Sequence, residues 1–264
     1  FKLFIYIYIY NYMVFTSLLK NVKSNIKLSN IKLIVFDKDG TLIDQNKFFA
    51  PMIKNYLEYI KPCISDNIDL NKELGFDPIK MRLRSDSIFA IKNEEEIKNE
   101  INKIIFRNTD QANEDSSYAL INNNHEFIYN DTNEIESLAN ISKLFGYLKE
   151  KNINITINTL DNLKNTDLMM DKYNLNNYVD EIITSDDIFN PKPDPESINF
   201  LSNKFNLPTD NIMIVGDSVT DIQLGKNSKC GATVAVKTGN YLDTEFLNDA
   251  DYVIDSIDNL YGIF

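Results

Sequence analysis

The sequence predicts an α/β fold: a parallel sheet core that is interrupted once by an inserted all-helical cap domain. Two observations predict it. Short apolar, β-branched runs alternate with amphipathic helical patterns, and a long helical stretch without a strand pattern follows the first run. A chain of 264 residues has room for one core of ordinary size and an insertion. We assign residues 31–45 and 136–264 to the core and residues 46–135 to the cap.

Each core element follows from its local pattern. Runs of β-branched and apolar residues bounded by turn residues predict buried parallel strands. They lie at 32–36, 153–159, 181–184, 212–216, 233–237 and 252–254. Helical periodicity predicts helices at 136–151, 161–173, 194–205 and 221–228. In an open α/β sheet, ligands bind beyond the carboxyl ends of the strands, so we expect the site there.

The insertion shows helical patterns and one polar stretch. The helical patterns cover 47–60, 71–75 running into 77–83, and 93–106. Residues 108–133 are rich in Asn, Asp and Ser, which predicts a long loop or a locally disordered segment. Because the insertion follows the first strand, it is expected to lie over the site as a lid.

Residues 1–30 form an apolar and basic leader. The apolar run at 1–19 is interrupted by Lys2 and Asn11, which disfavours a membrane anchor. No acidic residue precedes Asp37, while lysines recur, as in a mitochondrial presequence. The alternatives are a disordered leader on a cytoplasmic protein and an upstream extension of the gene model. We therefore expect a cytoplasmic or mitochondrial protein.

Composition excludes several partners and chemistries. The formal net charge is −12, and the resulting field repels nucleic acid and anionic membranes, so neither is expected as a stable partner. The single histidine, His125, lies in a polar run, which argues against triads and histidine metal sites. Cys63 and Cys230 are far apart and form no metal-binding pair. The remaining chemistry uses carboxylates, hydroxyls, lysine and a hard metal ion.

Two carboxylates follow the first predicted strand. Asp37 and Asp39 lie two residues apart, and side chains at that spacing share a side unless the backbone turns, which Gly40 permits. One carboxylate can attack phosphorus to give an acyl phosphate, and the other can exchange a proton. A calcium loop is disfavoured, because the further oxygen ligands and a downstream bidentate Glu are absent.

Three later strand ends carry complementary groups. Thr159 offers a hydroxyl and helix-start N–H groups to a phosphate. Lys192, between Pro191 and Pro193, is held in a rigid turn. Asp217 and Asp221 are spaced to point the same way, which suits a metal ligand and a partner outside the ligand sphere. Oxygen ligands without His or Cys predict Mg²⁺.

These segments resemble a known family. The similarity rests on Asp37-Lys38-Asp39-Gly40-Thr41, Thr159, Lys192 within Lys-Pro-Asp-Pro, and Gly216-Asp217-Ser218-Val219-Thr220-Asp221. In this order they resemble the four motifs of the haloacid dehalogenase-like (HAD) hydrolase superfamily. The resemblance implies a Rossmann-like core, and the helical insertion is similar to the C1-type cap of the subfamily that includes phosphoglycolate phosphatase and β-phosphoglucomutase. The second motif departs from the common form, reading Ile-Asn-Thr-Leu-Asp, but retains Thr159.

The resemblance implies a Mg²⁺-dependent phosphatase that hydrolyses a small phosphate monoester through an aspartyl-phosphate intermediate. Asp37 would be the nucleophile and Asp39 the acid and base, while Thr159 and Lys192 hold phosphoryl oxygens. The alternatives are a phosphomutase of the same fold and a non-catalytic HAD-like scaffold. The expected partner is a small phosphorylated metabolite, and the expected oligomeric state is a monomer or dimer.

The resemblance also implies the metal ligands. They would be the Asp37 carboxylate, the Asp39 backbone carbonyl and Asp217, with Asp221 orienting a metal-bound water.

Substrate choice is expected to lie in the cap. Arg82 and Arg84 are two of only three arginines, and arginine grips a carboxylate or a second phosphate well. We give them as candidate substrate-binding residues, with a solvated helix end as the alternative.

Overall fold

In the described part of the chain, eight strands form a large parallel sheet and a small antiparallel pair. The computed structural model describes residues 28–61, 69–84, 87–108, 135–187, 190–239 and 245–264. The strands are β1 (Leu33–Phe36), β2 (Phe76–Asp77), β3 (Arg82–Leu83), β4 (Asn154–Asn158), β5 (Glu181–Ile183), β6 (Ile212–Gly216), β7 (Ala232–Val236) and β8 (Tyr252–Ile254). Six of them pair in the order β5-β4-β1-β6-β7-β8, all parallel. The predicted core strands are confirmed to within one residue at each end.

Helices connect these strands. They are α1 (Gln45–Ile60), α2 (Leu70–Leu74), α3 (Ile88–Ile91), α4 (Glu94–Asn108), α5 (Ile141–Glu150), α6 (Leu163–Lys172), α7 (Glu196–Phe205) and α8 (Val219–Asn227). Short 3-10 helices lie at Leu28–Asn30, Thr209–Asn211, Glu245–Asp249 and Ile257–Leu260. Helix α5 begins later than predicted because the Asn140 side chain caps it, accepting from the Lys143 backbone N–H at 3.2 Å.

Strand β1 is central and buried on both faces. Ile34 and Phe36 pack on the α5 side, where the Phe36 and Phe145 rings lie 5.1 Å apart. Leu33 and Val35 point the other way, into the cluster that contains the apolar residues of α7. Burying each such side chain contributes about 1.5–3 kcal/mol. The alternation fixes the register of β1 and therefore the position of the residues that follow it.

The segment that leads into the insertion lies beside the segment that leads out of it. The Asp44 N–H donates to the Glu136 carbonyl at 2.7 Å, and the Leu138 N–H donates to the Leu42 carbonyl at 2.9 Å. Within the insertion, Phe49 and other apolar residues of α1 join the buried cluster that covers the sheet. The insertion is therefore held against the core at its base.

The prediction of an all-helical cap is wrong at residues 77–83. Strands β2 and β3 pair there in antiparallel fashion. The cause is local: the Asp77 carboxylate accepts from the N–H groups of Ile79 and Lys80, at 3.0 and 2.9 Å, which favours a turn over a helix. Met81 adopts a φ of 52°, which a helix cannot accommodate.

Two predicted segments lie wholly or mostly outside the described residues. They are the polar stretch 108–133 and residues 1–27 of the leader, so both remain predictions. In the part of the chain that the structure describes, no helix combines the length and apolar character needed to cross a bilayer.

Gly231 and Gly146 offer a test of core packing. A Cβ on Gly231 would lie 1.9 Å from the Asp210 carbonyl oxygen, whereas a Cβ on Gly146 in α5 would have its nearest contact at 3.7 Å. We expect Gly231→Ala to lower the free energy of unfolding by about 1–3 kcal/mol through overpacking. Gly146→Ala should raise it by about 0.5–1 kcal/mol through helix propensity. Urea unfolding monitored by circular dichroism measures both, and equal effects would contradict this account.

Candidate active site

The residues after β1 turn sharply at the carboxyl edge of the sheet. Asp37 continues the ladder, donating its N–H to the Val215 carbonyl at 2.9 Å. Gly40 then adopts a φ of +83°, and a Cβ there would lie 2.1 Å from Asp217 Oδ2. Glycine is thus required both for the turn and for the approach to Asp217. Thr41 follows and donates its hydroxyl to Asp217 Oδ1 at 3.2 Å.

The Lys192 ammonium joins four strand ends. It donates to Asp37 Oδ1 at 2.6 Å and to Asp221 Oδ1 at 2.7 Å. A third bond reaches the Asn158 carbonyl at 3.1 Å, at the end of β4. The side chain is buried, so these three acceptors replace its water. The structure therefore brings Lys192 and Asp37 together as the sequence led us to expect.

The start of α8 fixes Asp221. Ser218 and Asp221 form a capping box, in which the Ser218 N–H and hydroxyl donate to Asp221 Oδ2 at 3.1 and 2.6 Å. Its other oxygen accepts from Lys192. Both oxygens of Asp221 are thus engaged by protein groups.

Three buried carboxylates could hold a metal ion. Asp37, Asp217 and Asp221 each offer one oxygen, and these oxygens lie within 4.8 Å of one another. The donor set is entirely oxygen, as Mg²⁺ prefers.

Asp39 has different surroundings. Its carboxylate contacts Lys38 Nζ at 2.9 and 3.0 Å and accepts a long hydrogen bond from the Thr159 hydroxyl at 3.5 Å. Lys38 is 0% exposed, and its ammonium also contacts Asp161 Oδ2 at 2.7 Å. Asp161 in turn accepts from the N–H of Asn162 at 2.8 Å, and Asn162 is the residue that caps the start of α6. Lys38 thus ties Asp39 to the loop after β4, away from the three-carboxylate cluster.

Burial dominates the electrostatics of these acids. It raises the pKa of Asp37 to about 7, against the opposing charge of Lys192. Burial also raises the pKa of Asp39, although Lys38 opposes it. The pKa of Asp217 lies well above its ordinary value because of burial and the neighbouring charges of Asp37 and Asp221. Burial alone would lower the pKa of Lys192, but Asp221 and Asp37 raise it further than burial lowers it.

These groups open into one cavity of about 690 Å³, counting the space open to solvent. The core contributes Asp37, Asp39, Thr159, Leu160, Asp161, Lys192, Asp217 and Ser218. The insertion and its base contribute Gln45, Phe49, Phe89, Ala90, Lys92 and Ile97. The two segments thus enclose a single site.

The predicted arginines do not line this cavity. Neither Arg82 nor Arg84 is among the described residues around it. Arg82 lies in β3, where it is exposed and its neighbour Leu83 is buried, because the segment is a β-ribbon and not the expected helix; Arg84 directly follows this strand.

Several site residues escaped the sequence analysis. Lys38 lies between the two acids and Asp161 lies two residues after Thr159, and the motif pattern assigns no role to either. Their signal is a charged residue just beyond a predicted strand end: Lys38 lies two residues after the strand at 32–36, and Asp161 two residues after the strand at 153–159. Lys92 carried no local signal, because only the packing of the insertion brings it to the cavity.

Known proteins resemble this chain over part or most of its length. The phosphoglycolate phosphatase of Salmonella typhi is 27% identical over 92 residues, 35% of this chain and 36% of that protein. The chain thus matches about a third of the length of that relative. Pyrophosphatase PpaX of Bacillus velezensis is 24% identical over 234 residues, 88% of this chain and 96% of that protein.

Solved structures share the fold. A predicted phosphoglycolate phosphatase from Haemophilus somnus superposes with a TM-score of 0.64 and 17% identity, covering 89% of this chain and 98% of that one. A β-phosphoglucomutase from Clostridium difficile gives a TM-score of 0.57 and 21% identity, covering 87% of this chain and 93% of that one.

The family match spans both the sheet and the insertion. Residues 34–236 match the haloacid dehalogenase-like hydrolase family, which is well over half of the chain and includes all four motif segments. The chain therefore belongs to the haloacid dehalogenase-like hydrolase family.

Proposed function

We propose that this protein hydrolyses a small phosphate monoester with Mg²⁺, through an aspartyl-phosphate formed on Asp37. One observation carries the proposal: two carboxylates two residues apart face the same cavity in different settings. Asp37 lies with Lys192 and the acidic cluster, whereas Asp39 lies with Lys38 and Thr159. Environments that separate two carboxylates in this way give them separate roles as nucleophile and acid.

The acidic cluster supports the proposed Mg²⁺. We expect Asp37 and Asp217 to hold it, with the Asp39 backbone carbonyl completing the protein ligands. Asp221, whose two oxygens already accept from Lys192 and Ser218, would orient a water. Bound there, Mg²⁺ would supply positive charge to the phosphoryl group and to the crowded carboxylates.

In the first half of the reaction, Asp37 attacks phosphorus. Lys192 holds its Oδ1, and no described residue hydrogen bonds to Oδ2, so Oδ2 is available for attack or for the metal. As the Asp37–phosphorus bond forms and the ester bond breaks, the proton of Asp39 passes to the leaving alkoxide. The raised pKa of Asp39 favours the protonated form that this step needs.

In the second half, Asp39 acts as a base. It takes a proton from water as the water oxygen bonds to phosphorus and the Asp37–phosphorus bond breaks. Inorganic phosphate leaves, and both carboxylates return to their starting states. Thr159 and Lys192 would hold phosphoryl oxygens throughout, which is positioning and charge neutralisation.

The similar proteins support hydrolysis of a phosphate. Two of them are named a phosphoglycolate phosphatase and a pyrophosphatase. A β-phosphoglucomutase shares the fold, and a phosphomutase would use the same two aspartates. A non-catalytic scaffold is disfavoured, because each expected catalytic group is present in the cavity. Release of inorganic phosphate, with no isomerised sugar phosphate, distinguishes a hydrolase from a mutase.

Replacing the nucleophile is the direct test. We expect Asp37→Asn to lower Mg²⁺-dependent hydrolysis of p-nitrophenyl phosphate at least about 10,000-fold, because an amide cannot form the acyl phosphate. Asp39→Asn should lower it about 100- to 10,000-fold through loss of proton transfer. The control is Asp167→Asn on the exposed face of α6, which should retain activity. Turnover by Asp37→Asn would refute the assignment of the nucleophile.

Removing Lys192 should destabilise the metal-free fold. Lys192→Met leaves buried Asp37 and Asp221 without their cation, so we expect the free energy of unfolding in EDTA to fall by about 3–5 kcal/mol. Adding Asp37→Asn should recover part of the loss. The matched control is Lys226→Met, which removes an exposed pair with Asp249 and should cost about 0–1 kcal/mol. Similar losses in the two single variants would show that Lys192 does not have this role.

The stabilisation of the fold by Mg²⁺ should depend on pH. A carboxyl whose pKa is raised by folding stabilises the fold at low pH, and this stability is lost as pH rises through the folded pKa, about 7 for Asp37. In EDTA, Tm should therefore fall between about pH 5 and pH 8 from these groups. Since Mg²⁺ binds the deprotonated carboxylates, the rise in Tm on adding it should be larger at pH 8 than at pH 5. A rise of the same size at both values would contradict the proposed ligands.

A further inference from the structure

We propose that Lys92 forms a second anion subsite, which selects phosphate esters whose leaving group carries a carboxylate or a phosphoryl group. The inference rests on the proposed function, because it concerns the leaving group in the same cavity. The proposed substrate-binding residue of the insertion is therefore Lys92, and not Arg82 or Arg84 as the sequence predicts.

The wall that faces the catalytic residues is mostly apolar. Phe49, Phe89, Ala90 and Ile97 form it, and Lys92 is the cation that it contributes. Among the described residues that line the cavity, the other cation is Lys192, which is already bonded to two carboxylates. Lys92 is therefore the lining cation left to meet a charge on the substrate.

The ammonium of Lys92 is not committed elsewhere in the described structure. No described carboxylate forms an ion pair with it. The charge of Lys92 helps to lower the pKa of the Glu100 carboxyl, but less than Lys103 does. The Glu100 carboxylate accepts a hydrogen bond from Lys103 Nζ at 2.9 Å. A half-buried ammonium in the wall of a cavity gains from an arriving anion, because the pair forms where water is partly excluded.

The backbone around Lys92 is fixed. Its N–H donates to the Ile88 carbonyl at 3.1 Å and ends α3. The next residue starts α4: the Asn93 N–H donates to Glu96 Oε2 at 3.1 Å, and the Glu96 N–H donates to Asn93 Oδ1 at 2.9 Å. This reciprocal cap holds the turn between the two helices, so Lys92 extends from a defined position.

The acidic floor makes this position selective. Asp37, Asp39, Asp161 and Asp217 line the core side of the cavity. A second negative group on the substrate would be repelled near these carboxylates and attracted near Lys92. A compact substrate with anionic groups at both ends would therefore bind in one orientation, with the transferred phosphoryl group at Asp37.

The experiment compares substrates that differ in one charge. Phosphoglycolate and ethyl phosphate have leaving groups of similar size, and only the first carries a carboxylate. Pyrophosphate is an anhydride rather than an ester, and its leaving group is itself a phosphate, so it tests phosphoryl oxygens in the same place. The kcat/KM of each is measured for the wild type, Lys92→Met, Lys92→Arg and the control Lys72→Met, which changes an exposed lysine of α2 outside the cavity.

We expect the wild type to prefer an anionic leaving group to ethyl phosphate. For each substrate with an anionic leaving group, we take the ratio of its kcat/KM to the kcat/KM of ethyl phosphate. In Lys92→Met this ratio should fall roughly 10- to 100-fold, as expected for a lost charge-assisted hydrogen bond. Lys92→Arg should keep most of the ratio, and Lys72→Met should leave it unchanged. Which of phosphoglycolate and pyrophosphate shows the larger fall identifies the second anionic group.

An unchanged ratio in Lys92→Met, or a wild type that prefers ethyl phosphate, would overturn the subsite. That result would leave the phosphatase proposal intact, provided that p-nitrophenyl phosphate is hydrolysed and Asp37→Asn is inactive. Absence of any phosphate release from any ester would instead refute the proposed function.

Discussion

The site depends on one buried cation. Asp37, Asp217 and Asp221 approach one another where little water reaches them, and their mutual repulsion would separate the loops that carry them. Lys192, which follows β5, bonds two of the three acids and the Asn158 carbonyl, so a single ammonium links the last residue of β4 to residues that follow β1 and β6. The parallel sheet makes this possible, because it brings these carboxyl ends to one edge. The geometry of the site is thus set by charge balance as much as by the sheet.

A second buried cation separates the two aspartates that follow β1. Side chains two residues apart on a strand would lie together, but Lys38 holds Asp39 beside Asp161, while Lys192 holds Asp37 in the acidic cluster. The turn at Gly40 allows the chain to diverge at this point. Two like charges in sequence therefore become two groups with different partners, which is the condition for one to attack while the other transfers a proton.

Local pattern predicted the core well and the insertion less well. Six strands and the strand-end residues Asp37, Lys192 and Asp217 could be read from the sequence, because a buried parallel strand has a distinct composition and its end is a fixed point of the fold. The ribbon at 77–83 was missed, because a single side chain, Asp77, decides it by capturing backbone N–H groups. Lys92 was missed for a different reason: its place in the cavity depends on how the helices of the insertion pack on the core, which no local pattern records.

In the proposed mechanism, the sheet carries out the reaction and the insertion selects the substrate. The charged groups that would act on phosphorus follow the strands of the core, where the hydrogen-bonded ladder fixes them. The wall that would contact the leaving group comes from helices α1, α3 and α4 of the insertion, and a reciprocal cap fixes the turn between α3 and α4. A residue of that wall can change without disturbing the ladder, so its chemistry can vary while the core reaction stays the same. The apolar part of the wall would also limit water near the proposed acyl phosphate, so the insertion would protect that intermediate as well as choose the ester.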